Sequence, residues 1–166
     1  SVVFDSFDKD KNKVGEIKSE KPIEVLFEGA DTDIFKKLKV SDESIKSELS
    51  NIKENFSFLF VGHWLQGVDG QDRKDCYMMI KTFLTAFKDT KNPPALVLKT
   101  SGALPSVLDR EAIFKKIREI RHTVSFKKTL PNIYLLHGTL TDIQMNELYN
   151  HHKIKSLISF THGEGF

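Results

Sequence analysis

The chain has 166 residues, 39% apolar and 29% charged, a balance that suits a soluble globular domain and excludes a disordered or fibrous chain. Lysine and arginine number 25 against 23 acids, so the charge gives no footprint for nucleic acid and no such partner is expected. Cys76 is the single cysteine, which excludes an intrachain disulfide and a cysteine-built zinc site and sets a cytoplasmic location as the default. No apolar run reaches the ~20 residues of a membrane span, and residues 1–20 hold no signal-peptide core.

Residues 1–21 crowd Asp8, Lys9, Asp10, Lys11 and Lys13 together and lack a clear period. They read as an irregular lead-in from a preceding domain or linker, with one domain over residues 22–166. Ile23, Val25 and Phe27 alternate with Glu24, Leu26 and Glu28 as a short strand would, Gly29 closes the run, and a loop follows through Asp31, Asp33 and Phe35. Ser41 has the chemistry of an N-cap, and Ile45, Leu49 and Ile52 recur at helical spacing behind it.

The segment Phe56–Val61 is apolar at all but Ser57, the pattern of a strand covered on both faces. From Asp72, a helical stripe runs through Cys76, Met79, Ile80, Phe83, Leu84 and Phe87. After Pro93 and Pro94, Ala95–Leu98 reads as a second buried strand. A helix then starts at Ser106, with Asp109 as its capping-box partner and Ile113, Ile117 and Ile120 as its core face. Ile133–Leu136 is a third strand, Thr141 and Gln144 cap a third long helix carrying Met145, Leu148 and Tyr149, and Leu157–Phe160 is a fourth strand. Alternating strands and helices at this spacing predict a parallel α/β sheet with flanking helices.

Ligands of open parallel sheets bind beyond the carboxyl ends of the strands, which directs attention to the loops after Val61, Leu98, Leu136 and Phe160. Arg73 and Lys74 stand at the start of the helix that follows the first of these loops, where the positive end of the helix dipole disfavours cations unless an anion binds there. The competing reading makes Asp72 and Asp75 their neutralising partners on a solvated helix start. His63, His137 and His162 all fall at strand ends, so a zinc-binding triad is a further alternative. His122, His151 and His152 flank helix ends and read as solvent-facing, and Trp64 reads as a loop anchor.

Ser159-Phe160-Thr161-His162-Gly163-Glu164-Gly165-Phe166 resembles the start of the Glu-x7-Glu region of group 1 (family 4-like) glycosyltransferases of the GT-B fold. Glu28-Gly29-Ala30-Asp31-Thr32-Asp33-Ile34-Phe35 is similar to the segment preceding their C-terminal domain. Phe60-Val61-Gly62-His63-Trp64 with Arg73-Lys74-Asp75 is similar to its first strand and the basic pair beyond it. Leu135-Leu136-His137-Gly138 with Leu148-Tyr149 is similar to a later strand and helix. In two places the chain departs from the family pattern: His63 stands where Arg or Lys is usual, and Asp75 where Gly is usual.

The resemblance implies a Rossmann-like domain, the C-terminal half of a GT-B enzyme, truncated within its last motif. It would transfer a sugar from a nucleotide-diphosphate-sugar donor, by retention and without a metal or other cofactor. Glu164 and Lys74 would be catalytic, with Lys74 and Arg73 on the diphosphate and Gly62 admitting it. His63, Lys99 and Gly163 would line the donor. His137, Gly138 and Tyr149 would border base and ribose, and Glu164, Gly165 and Phe166 would face the transferred sugar. The acceptor, a glycan, lipid or other molecule, would be held by an N-terminal domain outside this chain, so the fragment alone is expected to be inactive; the likeness leaves room for peripheral membrane association of a full-length protein. The alternatives are a non-catalytic nucleotide-binding α/β module and a histidine-ligated metal-dependent hydrolase.

Overall fold

The structure, a computed structural model, describes residues 2–22, 24, 29–65 and 72–163. Its contacts divide the chain into two units, Ser1–Ala30 and Asp31–Phe166. In the first, Val2–Phe7 (β1) and Lys13–Ser19 (β2) form an antiparallel hairpin in which Phe4 faces Ile17 and Asp5 faces Glu16. Part of the expected irregular lead-in is therefore regular structure. Its charge cluster is the turn: the Asp8 carboxylate accepts the N–H groups of Asp10 and Asn12 at 2.9 and 2.8 Å, and Lys11 takes a left-handed backbone at φ 64°. Lys13 then reaches across the strands to Asp5 at 2.8 Å. The strand expected over Ile23–Phe27 lies mostly outside the described residues. Beyond it, Asp31 closes a turn by accepting the N–H of Asp33 on its side chain.

The second unit is α/β. Its elements run Glu43–Ser50 (α1), Ser57–His63 (β3), Cys76–Phe87 (α2), Ala95–Ser101 (β4), Val107–Thr123 (α3), Ile133–Leu136 (β5), Asp142–Asn150 (α4) and Ile154–Leu157 (β6). The four strands form one parallel sheet in the order β5-β4-β3-β6. Successive strands thus step outward from β3 to β5, and the chain then returns to place β6 on the other side of β3. This order is compatible with a Rossmann-like arrangement, and it puts the point where strand order reverses between β3 and β6.

Period-two alternation divides the core between the two faces. Phe60, Leu96 and Leu98 pack with Met79, Ile80 and Phe83 of α2 and Ile113, Ile117 and Ile120 of α3. Leu59, Ala95, Val97 and Leu136 pack with Ile45 and Leu49 of α1 and Leu148 of α4. Helices therefore cover both faces, which is why β3 reads as an unbroken apolar run. No helix of the described residues is long and apolar enough to cross a membrane.

Three boundaries differ from the sequence reading. The N-cap of α1 is Asp42, whose carboxylate accepts from Ser44 and Ile45; Ser41 instead gives its N–H and hydroxyl to buried Glu147 at 2.7 and 3.0 Å. Strand β3 runs through Gly62 to His63 because its pairing with β4 continues to Ser101. Strand β6 precedes the expected Leu157–Phe160, since regular pairing begins at Ile154 opposite Ser57. One further bond, Ile158 N–H to Leu59 O at 2.9 Å, lets Ile158 and Phe160 fold onto the α2–α3 core.

Candidate functional site

Parallel strands bring the loops after β3, β4, β5 and β6 to one edge of the sheet, together with the amino ends of α2 and α3. At the carboxyl end of β3, Gly62 pairs with Thr100. A Cβ built on Gly62 would lie 3.1 Å from Phe60 Cζ and 3.7 Å from Lys74 Cε. The Lys74 stem thus passes beside the Gly62 backbone, and the missing side chain spares a close contact with the Phe60 ring.

Arg73 and Lys74 were expected in the first turn of α2, but that helix opens at Cys76 behind the N-cap Asp75. Both cations sit on the approach to it. Asp72 and Asp75 are 6% and 8% exposed and serve the backbone, whereas Arg73 is exposed and Lys74 half-buried. Asp72 accepts from the N–H groups of Lys74 and Cys76 at 3.2 and 3.3 Å, and Asp75 accepts from Met78 N at 3.3 Å. Asp75 also lies 3.3 Å from His162 Nε2. Arg73 ties down the loop after β6: its Nη1 donates to Gly163 O at 2.5 Å, and its own carbonyl accepts from His162 N at 2.9 Å. The two loops that flank the β3/β6 reversal are therefore pinned to each other. Glu164, Gly165 and Phe166 lie outside the described residues.

A second polar cluster joins the ends of β4 and β5. Asp109 accepts the Gly102 N–H on both carboxylate oxygens at 3.0 and 2.9 Å and pairs with His137 Nε2 at 2.7 Å. Desolvation pushes the Asp109 carboxyl upward, but the bonds from His137 and Gly102 and the nearby charges of His137 and Lys116 outweigh it and hold it below the usual carboxylate range. Only half of the expected capping box forms: Ser106 Oγ accepts the Asp109 N–H at 3.1 Å, while the carboxylate leaves the helix for Gly102 and His137. No spacing in the sequence signals this role, because its partners come from two other loops.

His63 Nδ1 lies 3.2 Å from Gly102 O and 3.4 Å from Ser101 Oγ. Lys99 Nζ donates to Gly138 O at 2.6 Å, and burial lowers its affinity for the proton. Gly138 holds a left-handed φ of 104°, which its lack of a side chain permits.

The structure does not bring Tyr149 to this edge. It stands near the carboxyl end of α4, against β6, where the chain turns through 151–153 into the strand. Among the described residues no three His, Cys, Asp or Glu side chains are placed to hold a metal ion, and the three loop histidines face three different partners. His151, expected at the surface, is 5% exposed; desolvation, with the charges of His152 and Lys153, pushes its proton affinity down. Trp64 is buried, and its backbone N–H donates to Ser101 O, which anchors its loop. No family model and no curated protein matches the chain. The functional reading therefore rests on this edge: the amino end of α2, a lysine lying beside a glycine, and a carboxylate–imidazole pair.

Proposed function

We propose that residues 22–166 bind a nucleotide-diphosphate sugar and form the donor half of a GT-B glycosyltransferase. The observation that carries this reading is the Lys74 side chain laid beside Gly62 at the end of β3, next to the reversal of strand order. A diphosphate there would approach bare backbone, the amino end of α2 and the Lys74 ammonium together. Arg73 contributes by fixing loop 161–163 across the same opening, which positions the segment that continues to Glu164.

In the reaction, the bond from the sugar C1 to the donor phosphate oxygen breaks and a bond from C1 to an acceptor hydroxyl oxygen forms, with the hydroxyl proton passing to the departing diphosphate. The charge that grows on the departing diphosphate needs stabilisation. Lys74 supplies it, with the positive end of the α2 dipole behind it, without a metal in this reading. His137, held in one orientation by Asp109, and Gly138 border the base and ribose. The acceptor comes from an opposing domain.

Calorimetry with a nucleoside diphosphate tests the assignment. Lys74→Ala should weaken binding about fivefold to a hundredfold, the loss of about 1–3 kcal/mol that a charged hydrogen bond is worth, and affinity should fall as salt rises. Unchanged affinity in Lys74→Ala would remove the diphosphate from this site.

A further inference from the structure

The opposite edge of the sheet carries a second constellation. An open groove of about 960 Å³ lies there, with Phe56, Phe58, Phe87, Pro93 and Leu130 among its lining groups. Its aromatic part is held rigid. Phe56 meets Phe58 at 5.1 Å between ring centroids, Phe58 meets Phe87 at 5.8 Å, and Phe87 meets the buried Phe83 at 5.2 Å. Phe56, at the outer end, is 44% exposed, so an aromatic ring is presented to water at the lip of a concave surface.

The rim is polar and basic. Asn55 and Asn92 are exposed amides on either side of the groove. Lys53 and Lys91 stand beside them, with Lys127 and Lys128 on the adjoining connection, all four exposed. Of the acids on these connections, Glu54 lines the groove and accepts from Asn132 Nδ2 and Tyr134 OH at 2.7 and 3.0 Å, and Asp89 gathers the N–H groups of Lys127, Lys128 and Thr129. The four lysines outnumber these two acids, so positive charge is in excess around an aromatic floor.

We infer that this groove binds an anionic glycan, with a pyranose ring lying on Phe56, hydroxyls on Asn55 and Asn92, and acidic groups on Lys53 and Lys91. An apolar ring face fits the carbon side of a sugar, paired amides fit its hydroxyls, and lysines fit acidic substituents as point charges. A flat bilayer would leave the recessed floor empty and strip water from the amides without replacing their hydrogen bonds. The site lies on the edge away from Lys74, so it acts as a tether for a glycan chain. That use rests on the glycosyltransferase reading, whereas the binding itself does not.

The test is NMR titration of the chain with a galacturonic acid hexasaccharide, a neutral maltohexaose and a glutamate hexapeptide. The acidic sugar should shift the amide signals of Asn55, Phe56 and Asn92. Lys53→Glu/Lys91→Glu and, separately, Phe56→Ser should each weaken it about tenfold or more, the loss expected for one or two charged contacts or a stacked ring, while Lys74→Ala leaves it unchanged. Maltohexaose should bind at least about tenfold more weakly, as an uncharged ligand gains nothing from the lysines. Far-ultraviolet circular dichroism of each variant checks that the fold is retained. Absence of shifts, shifts confined to the carboxyl edge, or peptide binding as tight as the sugar's and indifferent to Phe56→Ser would each overturn the inference. Nucleoside diphosphate binding, lost or kept, decides the donor site separately.

Discussion

Removing the Asp109 carboxylate should destabilise the α/β unit by about 3–5 kcal/mol. The carboxylate makes two charge-assisted interactions, one with the Gly102 N–H shared over both oxygens and one with His137, each worth about 1.5–3 kcal/mol when formed away from water. It also places an acid in the first turn of α3, worth roughly 0.3–1 kcal/mol. The Asp109 and His137 side chains are 18% and 12% exposed, so solvent weakens the pair only in part and the lower half of the summed range applies. Gly102→Ala attacks the same cluster from the other side, because its Cβ would fall 2.3 Å from Asp109 Oδ1. The two changes should therefore be less than additive, with a coupling of at least about 1 kcal/mol. Urea unfolding of the single and double variants measures this. The pH dependence has a definite sign. The Asp109 carboxyl is held below its ordinary 3.8 in the folded chain, so its contribution is full above that value and fades as pH falls through the lower folded value. An Asp109→Ala variant as stable as the parent at neutral pH, or a gap between them that persists unchanged well below pH 3.8, would refute the role assigned to this carboxylate.

Two further outcomes follow from buried groups. The Cys76 thiol is 1% exposed, and burial together with the hydrogen bond and charge of Asp72 pushes its proton affinity far up, so a thiol reagent at mildly alkaline pH should label it only at the rate of unfolding. Glu147→Ala should cost about 2–3 kcal/mol in urea unfolding, because Ser41 N and Oγ and Asp42 N all donate to that carboxylate and would lose their acceptor; a loss under about 0.5 kcal/mol would show that water replaces it.

What could be read in advance was what periodicity encodes. Phe58 and Phe60 turn to one helix layer and Leu59 and Val61 to the other, so an unbroken apolar run announced a doubly covered strand. The stripe from Cys76 to Leu84 likewise announced the buried face of α2. Features that depend on partners distant in sequence were not legible. The hairpin at the amino end is defined by pairs such as Phe4 with Ile17, and its strands bury too little to impose a clear pattern. Ser41 had the right chemistry for an N-cap, yet Glu147, more than a hundred residues away, claims it. Tyr149 shares a helix with the capping box at Thr141, but the length of that helix carries it to the other edge of the sheet, a displacement that a linear motif does not contain.

Asp75 offers the sharpest check on how the start of α2 is built. It is a non-glycine N-cap in the left-handed region, at φ 44° and ψ 48°. Left-handed backbone costs an ordinary residue about 1–2 kcal/mol, and Asp tolerates it better than most through local hydrogen bonds. Here the compensation is visible: the carboxylate accepts from Met78 N at 3.3 Å and faces His162 at 3.3 Å. Alanine at this position would keep the strained backbone and lose the acceptor, for a combined loss of about 2–3 kcal/mol. Glycine would also lose the acceptor but relieve the backbone, so Asp75→Gly should lie within about 0.5 kcal/mol of the parent. The ranking reverses the usual helix scale, in which Ala is the better residue by about 1 kcal/mol. Urea unfolding of the two variants decides it: an Asp75→Ala chain as stable as Asp75→Gly would mean that the left-handed backbone at residue 75 is not what shapes the approach of Arg73 and Lys74 to the site.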